Sequence, residues 1–154
     1  MKTKAAVLIL ALCFVGVAVC YAADAQMGTW KLNEGKSKIA AGTAKNTKVV
    51  YEAAGADVKI TVDGVDADGK PTHNTWTGKF DGKDYAVTGD PTSDARAYKK
   101  VDDHTLTFDV KKGGKITLTG KVVVSADGKS RTVTVSGTDS NGKKVSSTSV
   151  FDKQ

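Results

Sequence analysis

The sequence predicts an all-β protein, an antiparallel up-and-down meander of about ten strands that is closed or nearly closed into a barrel. One glycine turn recurs along the chain, apolar and polar residues alternate between the turns, and no Pro/Ser-rich linker divides the chain. Glycine turns of this kind form hairpins, and the alternation is typical of antiparallel strands with one buried face. A twisted open sheet of this size tends to curl and close on itself.

The turns and the alternation together set the strands. Asp-Gly-Lys occurs at 68–70, 81–83 and 127–129, with close variants at 113–115 and 141–143, and each predicts a strand reversal. Between turns, apolar residues recur at every second position, as in Val58, Ile60 and Val62. The predicted strands are 28–32, 47–53, 57–64, 71–80, 83–88, 94–101, 104–111, 115–125, 130–138 and 143–152.

The connection between the first two strands does not alternate. Its Ala and Lys content, with Ser37 as a helix start and Gly42 as a stop, is compatible with one short helix from Ser37 to Ala41. We expect a loop that contains a single helical turn.

The N-terminus has the pattern of a secretory signal. Lys2 and Lys4 precede an uncharged apolar run at 5–19, which is shorter than the roughly 20 residues of a membrane-spanning helix. We therefore expect a cleaved signal peptide at 1–22, with cleavage after Ala25 as the alternative, and a single barrel domain at 23–154. The expected location is the periplasm or the exterior, without stable membrane insertion.

Composition excludes several classes of function. The two cysteines, Cys13 and Cys20, both lie in the predicted signal, so the processed chain would hold no disulfide, Cys nucleophile or thiolate metal site. The net charge is +6, but the lysines are scattered and no basic stripe carries interleaved aromatic residues. We expect no nucleic-acid partner, and a monomer.

Motif searches give no active site. Gly35-Lys36-Ser37 and Gly128-Lys129-Ser130 resemble the end of a phosphate-binding loop, but the required earlier glycine is replaced by Trp30 and Val123. The segment 66–69 resembles part of a calcium loop but lacks its first and last ligands. His73 and His104 fall on different strands. The sequence therefore predicts no catalytic residue, no metal site, no cofactor and no enzyme activity.

The first predicted strand, Gly28-Thr29-Trp30-Lys31-Leu32, resembles the Gly-x-Trp start of the calycin barrels, which include the lipocalins and the fatty-acid-binding proteins. The C-terminal Val150-Phe151-Asp152-Lys153-Gln154 is similar to the end of the fatty-acid-binding branch. The whole chain also resembles small exported bacterial lipocalin-like proteins. The resemblance implies that Gly28 and Trp30 plug the closed end of the barrel.

The sequence departs from these families in its ligand grip. The fatty-acid-binding proteins hold a carboxylate with an Arg-x-Tyr pair, and the matching positions here are Ser149 and Phe151. Lipocalins also stack an Arg on the Trp, and neither Arg96 nor Arg131 lies in a segment that matches that motif. The connection after the first strand is too short for the two helices that cover the barrel mouth in fatty-acid-binding proteins.

Two functions remain open. The inferred inner face is rich in small residues, so the lumen would hold a lipid or other small hydrophobic ligand. Gly78 and Ala97 are predicted small positions on that face. The alternative is a ligand-free structural or interaction barrel of the cell envelope, with the aromatic residues as ordinary core. The predicted ligand-binding residues are Trp76, Phe80, Tyr85, Tyr98 and Phe108.

Overall fold

The computed structural model describes residues 24–138 and 142–154 and contains one closed antiparallel barrel of ten strands. Each strand pairs with its neighbours in sequence, and β1 pairs with β10 to close the barrel. The predicted signal peptide at 1–22 lies outside the described residues. The strands are β1 Gly28–Leu32, β2 Lys45–Ala54, β3 Asp57–Val65, β4 Pro71–Gly78, β5 Asp81–Thr88, β6 Ala95–Lys100, β7 Thr105–Lys112, β8 Lys115–Val124, β9 Ser130–Thr138 and β10 Lys144–Lys153.

The all-β meander and its closure are confirmed, and each predicted strand overlaps the observed one within a few residues. The prediction of a strand reversal at 81–83 is wrong, because the turn lies between Gly78, the end of β4, and Asp81, the start of β5. Strand β5 already begins at Asp81, and Gly82, with a φ of 80°, lies in an irregularity of register between Asp81 and Asp84. The positive φ of this glycine therefore serves a bulge rather than the hairpin turn itself.

The alternative of a short helix from Ser37 to Ala41 is wrong. A 3-10 helix spans Glu34–Lys36 instead, because the Asn33 side chain accepts a hydrogen bond from the Lys36 N–H and so provides the cap. Ser37 lies after this helix, and its hydroxyl donates to the Asn33 carbonyl oxygen at 2.7 Å. The main chain then follows β10, where Lys38 and Thr148 form an isolated bridge. The predicted loop with one helical turn describes this connection.

The seams of the barrel differ in extent. Strands β9 and β10 pair along nine residues, from Lys144↔Thr138 to Asp152↔Ser130. Strands β4 and β5 pair only at Thr75↔Thr88 and Trp76↔Val87. The inward side chain of Trp76 contributes to joining this short seam, because its indole N–H donates to the Arg96 carbonyl oxygen on β6 at 3.0 Å.

Candidate functional site

One end of the barrel is closed by a buried arginine held among aromatic rings. Trp30 and Arg131 are 0% and 2% exposed. The guanidinium carbon of Arg131 lies 4.9 Å from the centre of the Trp30 ring. The same carbon lies 4.8 Å from the centre of the Tyr51 ring and 5.1 Å from that of Phe151. These distances are within the range of cation–π contacts. The Trp30 indole N–H donates to the Gln26 carbonyl oxygen at 2.8 Å.

This geometry corrects the sequence reasoning about arginine. The sequence does not match Arg131 to the arginine that packs on the tryptophan of lipocalins. In the structure, however, its guanidinium lies over the Trp30 ring. The alternation of β9 carries the missing signal, since Arg131 has the same phase as Val133 and Val135. The cross-strand pair Phe151↔Arg131 then brings its side chain to the closed end.

The charge of Arg131 is not neutralised by a carboxylate within the described chain, where no ion pair involves it. Burial lowers the pKa of its guanidinium below the ordinary value, and the neighbouring Tyr51 acts in the opposite direction. Burial likewise raises the pKa of Tyr51 to about 12, although the Arg131 charge acts to lower it. The rings therefore provide the main compensation for a desolvated cation.

Gly28 lies beside this plug, in the pair Gly28↔Tyr51. Its φ is 108°, a conformation that side chains rarely adopt, and a Cβ atom there would lie 3.2 Å from Cε of Lys153. The Lys153 ammonium in turn lies 5.2 Å from the centre of the Trp30 ring. The Gly-x-Trp spacing thus places two features at the same end of the barrel: a glycine that the Lys153 side chain approaches closely, and a buried ring.

The five aromatic residues predicted to contact ligand form one connected cluster. Trp76 is at the centre of the cluster. Its ring centroid lies 6.2 Å from that of Phe80, 5.7 Å from that of Tyr85 and 4.8 Å from that of Tyr98. Phe108 extends the group through Tyr98 at 5.4 Å. Trp76 and Tyr98 are 1% and 6% exposed and belong to the core. Phe80 joins this cluster to the closed end, because its ring centroid lies 6.4 Å from that of Tyr51.

Beyond this aromatic layer the inner wall is made of small side chains. The cross-strand pairs Phe108↔Gly120, Gly120↔Val135 and Ser147↔Val135 form one row of inward positions across β7 to β10. The next row toward the opposite end consists of Val110, Leu118, Gly137 and Val145. All residues of the two rows on β8 to β10 are partly exposed, although they point into the barrel. We call the part of the lumen lined by these two rows the open half.

Two concave spaces lie at the rim of this half. One of about 420 Å³ is lined by residues at the adjoining ends of β9 and β10, including Gly137 and Val145. The other, of about 180 Å³, lies in the β1–β2 connection, between Glu34 and Lys45. Neither is lined by the five aromatic residues, which pack mainly on one another and on the core.

Gly78 and Ala97 do not provide luminal space. A Cβ atom on Gly78 would lie 2.5 Å from Cγ of Tyr85 and 2.8 Å from Cζ2 of Trp76, so aromatic rings already occupy the position. Ala97 alternates with the buried, inward Tyr98 and pairs with Asp109 and Asp84, which places it on the outer face. The prediction that Ala97 faces the lumen is therefore wrong.

Arg96, Asp90 and Ser93 form a largely buried polar cluster that the sequence does not predict. Arg96 and Asp90 form an ion pair at 2.7 Å, with side chains 11% and 13% exposed. The Ser93 hydroxyl donates to the same Asp90 oxygen at 2.6 Å. Burial raises the pKa of Asp90, but the hydrogen bonds from Ser93 and Thr92 and the Arg96 charge outweigh it, and the pKa lies below the ordinary value.

The two histidines do not meet. His73 lies on β4 with its ring nitrogen 2.7 Å from an Asp63 oxygen, and it is exposed, whereas His104 lies in the β6–β7 turn. Within residues 24–138 and 142–154, no group of three or more His, Cys, Asp or Glu side chains could hold a metal ion. In the same segments, no helix has the length and apolar character needed to cross a membrane.

Comparison with known proteins adds no family. No protein-family model matches the sequence, and no curated protein matches it. Similar solved structures include EF1p2_mFAP2b bound to DFHBI, with 14% identity and a TM-score of 0.49, covering 86% of this chain and 97% of that chain. A redesigned β-barrel, mFAP1, bound to DFHBI has 18% identity and a TM-score of 0.44, covering 84% of this chain and 98% of that chain.

Proposed function

We propose that this barrel binds a small, mainly apolar ligand in its open half, outside the cytoplasm and without catalysing a reaction. The observation that carries the proposal is the difference between the two halves of the lumen. Inward side chains at the closed end, such as Trp30 and Arg131, are fully buried, whereas Val135 and Ser147 remain partly exposed on the inner wall. Small side chains that leave accessible space inside a barrel are typical of ligand-carrying barrels.

The ligand contacts follow from this division. Phe108 and Trp76 form the base of the open half, and Leu118, Val135 and Val145 provide an apolar wall opposite them. Tyr85 covers Gly78 and donates its hydroxyl to Asp81 at 3.0 Å, and Phe80 lies at the β4–β5 turn. We therefore give Phe80 and Tyr85 a supporting role, and Phe108, Trp76 and Tyr98 the ligand-facing one.

The calycin resemblance supports this proposal through Trp30 and Arg131. The Gly-x-Trp strand opens a closed meander, and an arginine stacks on its tryptophan. The matching positions for a carboxylate clamp, Ser149 and Phe151, hold no cation, so the proposed ligand is not held as in the fatty-acid-binding proteins. Export is proposed from the N-terminal pattern alone.

The matched variants Val135→Phe and Thr134→Phe test the proposal. Val135 faces the open half, and Thr134 faces solvent on the same strand. Filling an empty space costs less stability than overpacking a full core, which costs about 1–3 kcal/mol. We expect Val135→Phe to keep the melting temperature within a few degrees and to weaken binding of the fluorescent apolar dye Nile red about tenfold. Thr134→Phe should leave dye binding unchanged.

A second function, a ligand-free structural barrel, is favoured by the mutual packing of the five predicted ligand residues. It makes the opposite prediction for the same pair of variants. Under that reading the lumen is full, so Val135→Phe unfolds or melts much earlier than Thr134→Phe. Failure of the wild-type protein to bind Nile red would also favour it.

A further inference from the structure

Two buried polar atoms beside the open half have no hydrogen-bond partner in the described structure. They are Oδ1 of Asn74, in a residue that is 9% exposed, and Nε of Arg96. One is an acceptor and the other a donor. Buried polar atoms are nearly always hydrogen-bonded, so an unpaired acceptor and an unpaired donor in the same region require a partner.

The two residues lie around the same turn. A Cβ atom on Gly89 would lie 3.4 Å from Cα of Asn74, and Gly89 is followed by Asp90, the ion-pair partner of Arg96. Asn74 also lies one inward step from Trp76, whose indole N–H is bonded to the Arg96 carbonyl oxygen. The pairs Arg96↔Val110 and Val110↔Leu118 place Arg96 in a row that lines the open half.

The charge of this group selects the chemistry of its partner. Arg96 is already neutralised by Asp90 at 2.7 Å, so a ligand carboxylate would meet a net neutral pair and would lie near the Asp90 charge. A carboxylate would lose its hydration without gaining a free cation. A neutral hydroxyl group both accepts and donates, and thus satisfies Nε of Arg96 and Oδ1 of Asn74 together.

We propose that Asn74 and Arg96 bind the hydroxyl group of a neutral amphiphile whose apolar chain occupies the open half. This assignment rests on the proposed ligand-binding function and names its ligand class. The Arg96 Nε–H donates to the ligand oxygen, and the ligand hydroxyl donates to Oδ1 of Asn74. The ion pair with Asp90 holds the Arg96 guanidinium in place.

Displacement of Nile red from the whole protein by 1-decanol and by decanoate tests the assignment. The two competitors share their chain length and differ in the charge of the head group. We expect 1-decanol to displace the dye at a concentration about tenfold lower than decanoate, since tenfold corresponds to one good hydrogen bond. Asn74→Leu and Arg96→Lys should each raise the ratio of the 1-decanol midpoint to the decanoate midpoint about five- to tenfold, because this ratio compares two competitors on the same variant.

The two variants perturb the site in different ways. Arg96→Lys keeps a cation for Asp90 and removes the Nε–H, and Asn74→Leu removes the unpaired carbonyl at similar size. Thr75→Val, on the outer face beside Asn74, is the control and should change neither midpoint. Equal displacement by the two competitors, or no effect of both variants, would overturn the hydroxyl site and leave a bridging water as the partner. Absence of dye binding by the wild type would instead overturn the binding function itself.

Discussion

At the scale of single residues, Arg131 determines how the closed end is built. A guanidinium buried without a carboxylate is costly, and Trp30, Tyr51 and Phe151 surround it at about 5 Å. The guanidinium lies over the electron-rich face of each ring, and the rings also exclude water from it. The plug is therefore a joint property of four side chains on β1, β2, β9 and β10.

Replacement of Trp30 tests this dependence. Trp30→Ala removes a fully buried ring and uncovers one side of the Arg131 cation, so we expect the free energy of unfolding to fall by about 3–5 kcal/mol. Trp30→Phe keeps an aromatic face over the guanidinium and should lose less. Urea titrations of the three proteins measure both effects. A loss below about 1 kcal/mol for Trp30→Ala would mean that the ring does not act as a plug.

Tyr51 makes the stability of this end depend on alkaline pH. Its pKa is raised from 10.0 to about 12, so the folded state favours the neutral phenol. The corresponding stability is fully present below pH 10, where both states are protonated, and is lost as the pH rises toward 12. The shift corresponds to roughly 3 kcal/mol.

We expect Tyr51→Phe to be less stable than the wild type at pH 8 and to approach it as the pH rises from 10 to 12. The wild type loses the Tyr51 contribution over this range, and the variant has none to lose. Denaturant titrations at pH 8, 10 and 11 measure the difference. A difference that stays constant over these pH values would contradict the raised pKa.

At the scale of elements, Gly120 on β8 and Gly137 on β9 have different kinds of neighbour. Gly120 lies against a side chain, whereas Gly137 lies against the main chain of the paired strand. A Cβ atom on Gly120 would overlap the end of the Phe108 ring, Cζ. A Cβ atom on Gly137 would overlap the Thr117 carbonyl oxygen and would lie 2.8 Å from Cα of Leu118. An aromatic side chain can rotate away, whereas the backbone of a paired strand cannot move alone.

We therefore expect Gly137→Ala to lower the free energy of unfolding by about 2 kcal/mol or more, and Gly120→Ala by less than about 1 kcal/mol. Each variant adds the same methyl group to an inward position of the same sheet, so each serves as the control for the other. Denaturant midpoints give the comparison. Equal losses would indicate that Phe108 is locked and that no space lies above its ring.

The elements also show what the sequence can and cannot specify. Alternation and glycine turns predicted the strands well, because a period of two fixes which face each residue takes. The same rule fails at the β4–β5 turn, where the Gly82 bulge resembles a hairpin signal. Alternation already places Ala97 opposite Tyr98, and its assignment to the lumen went against that rule. Asn74 and Arg96 could not be paired from sequence, because their proximity depends on the short β4–β5 seam.

At the scale of the whole molecule, the barrel is asymmetric along its axis. The closed end contains Trp30, Arg131 and the large core residues, and the segment before β1 packs onto it. Gln26 is 1% exposed, and its side-chain amide donates to the His104 carbonyl oxygen at 3.0 Å. Ala25 packs against the core, and the Lys100 ammonium lies 3.4 Å from an Asp24 oxygen. The residues near the two predicted cleavage positions thus take part in the fold.

This arrangement predicts that the two forms that the predicted cleavage positions would give differ in stability. Cleavage after Ala25 would place a charged amino group on Gln26, a buried residue, and would remove the Asp24 carbonyl oxygen that accepts from the Met27 N–H at 2.9 Å. We expect a chain of residues 26–154 to melt several degrees below one of residues 23–154, a shift that corresponds to about 1 kcal/mol. Asp24→Asn in the longer chain keeps the backbone contact and an oxygen that can accept from the Gln26 N–H, and it weakens the pair with Lys100, so it should melt close to the wild type. Equal melting temperatures for the two lengths would mean that Asp24 and Ala25 do not stabilise the closed end.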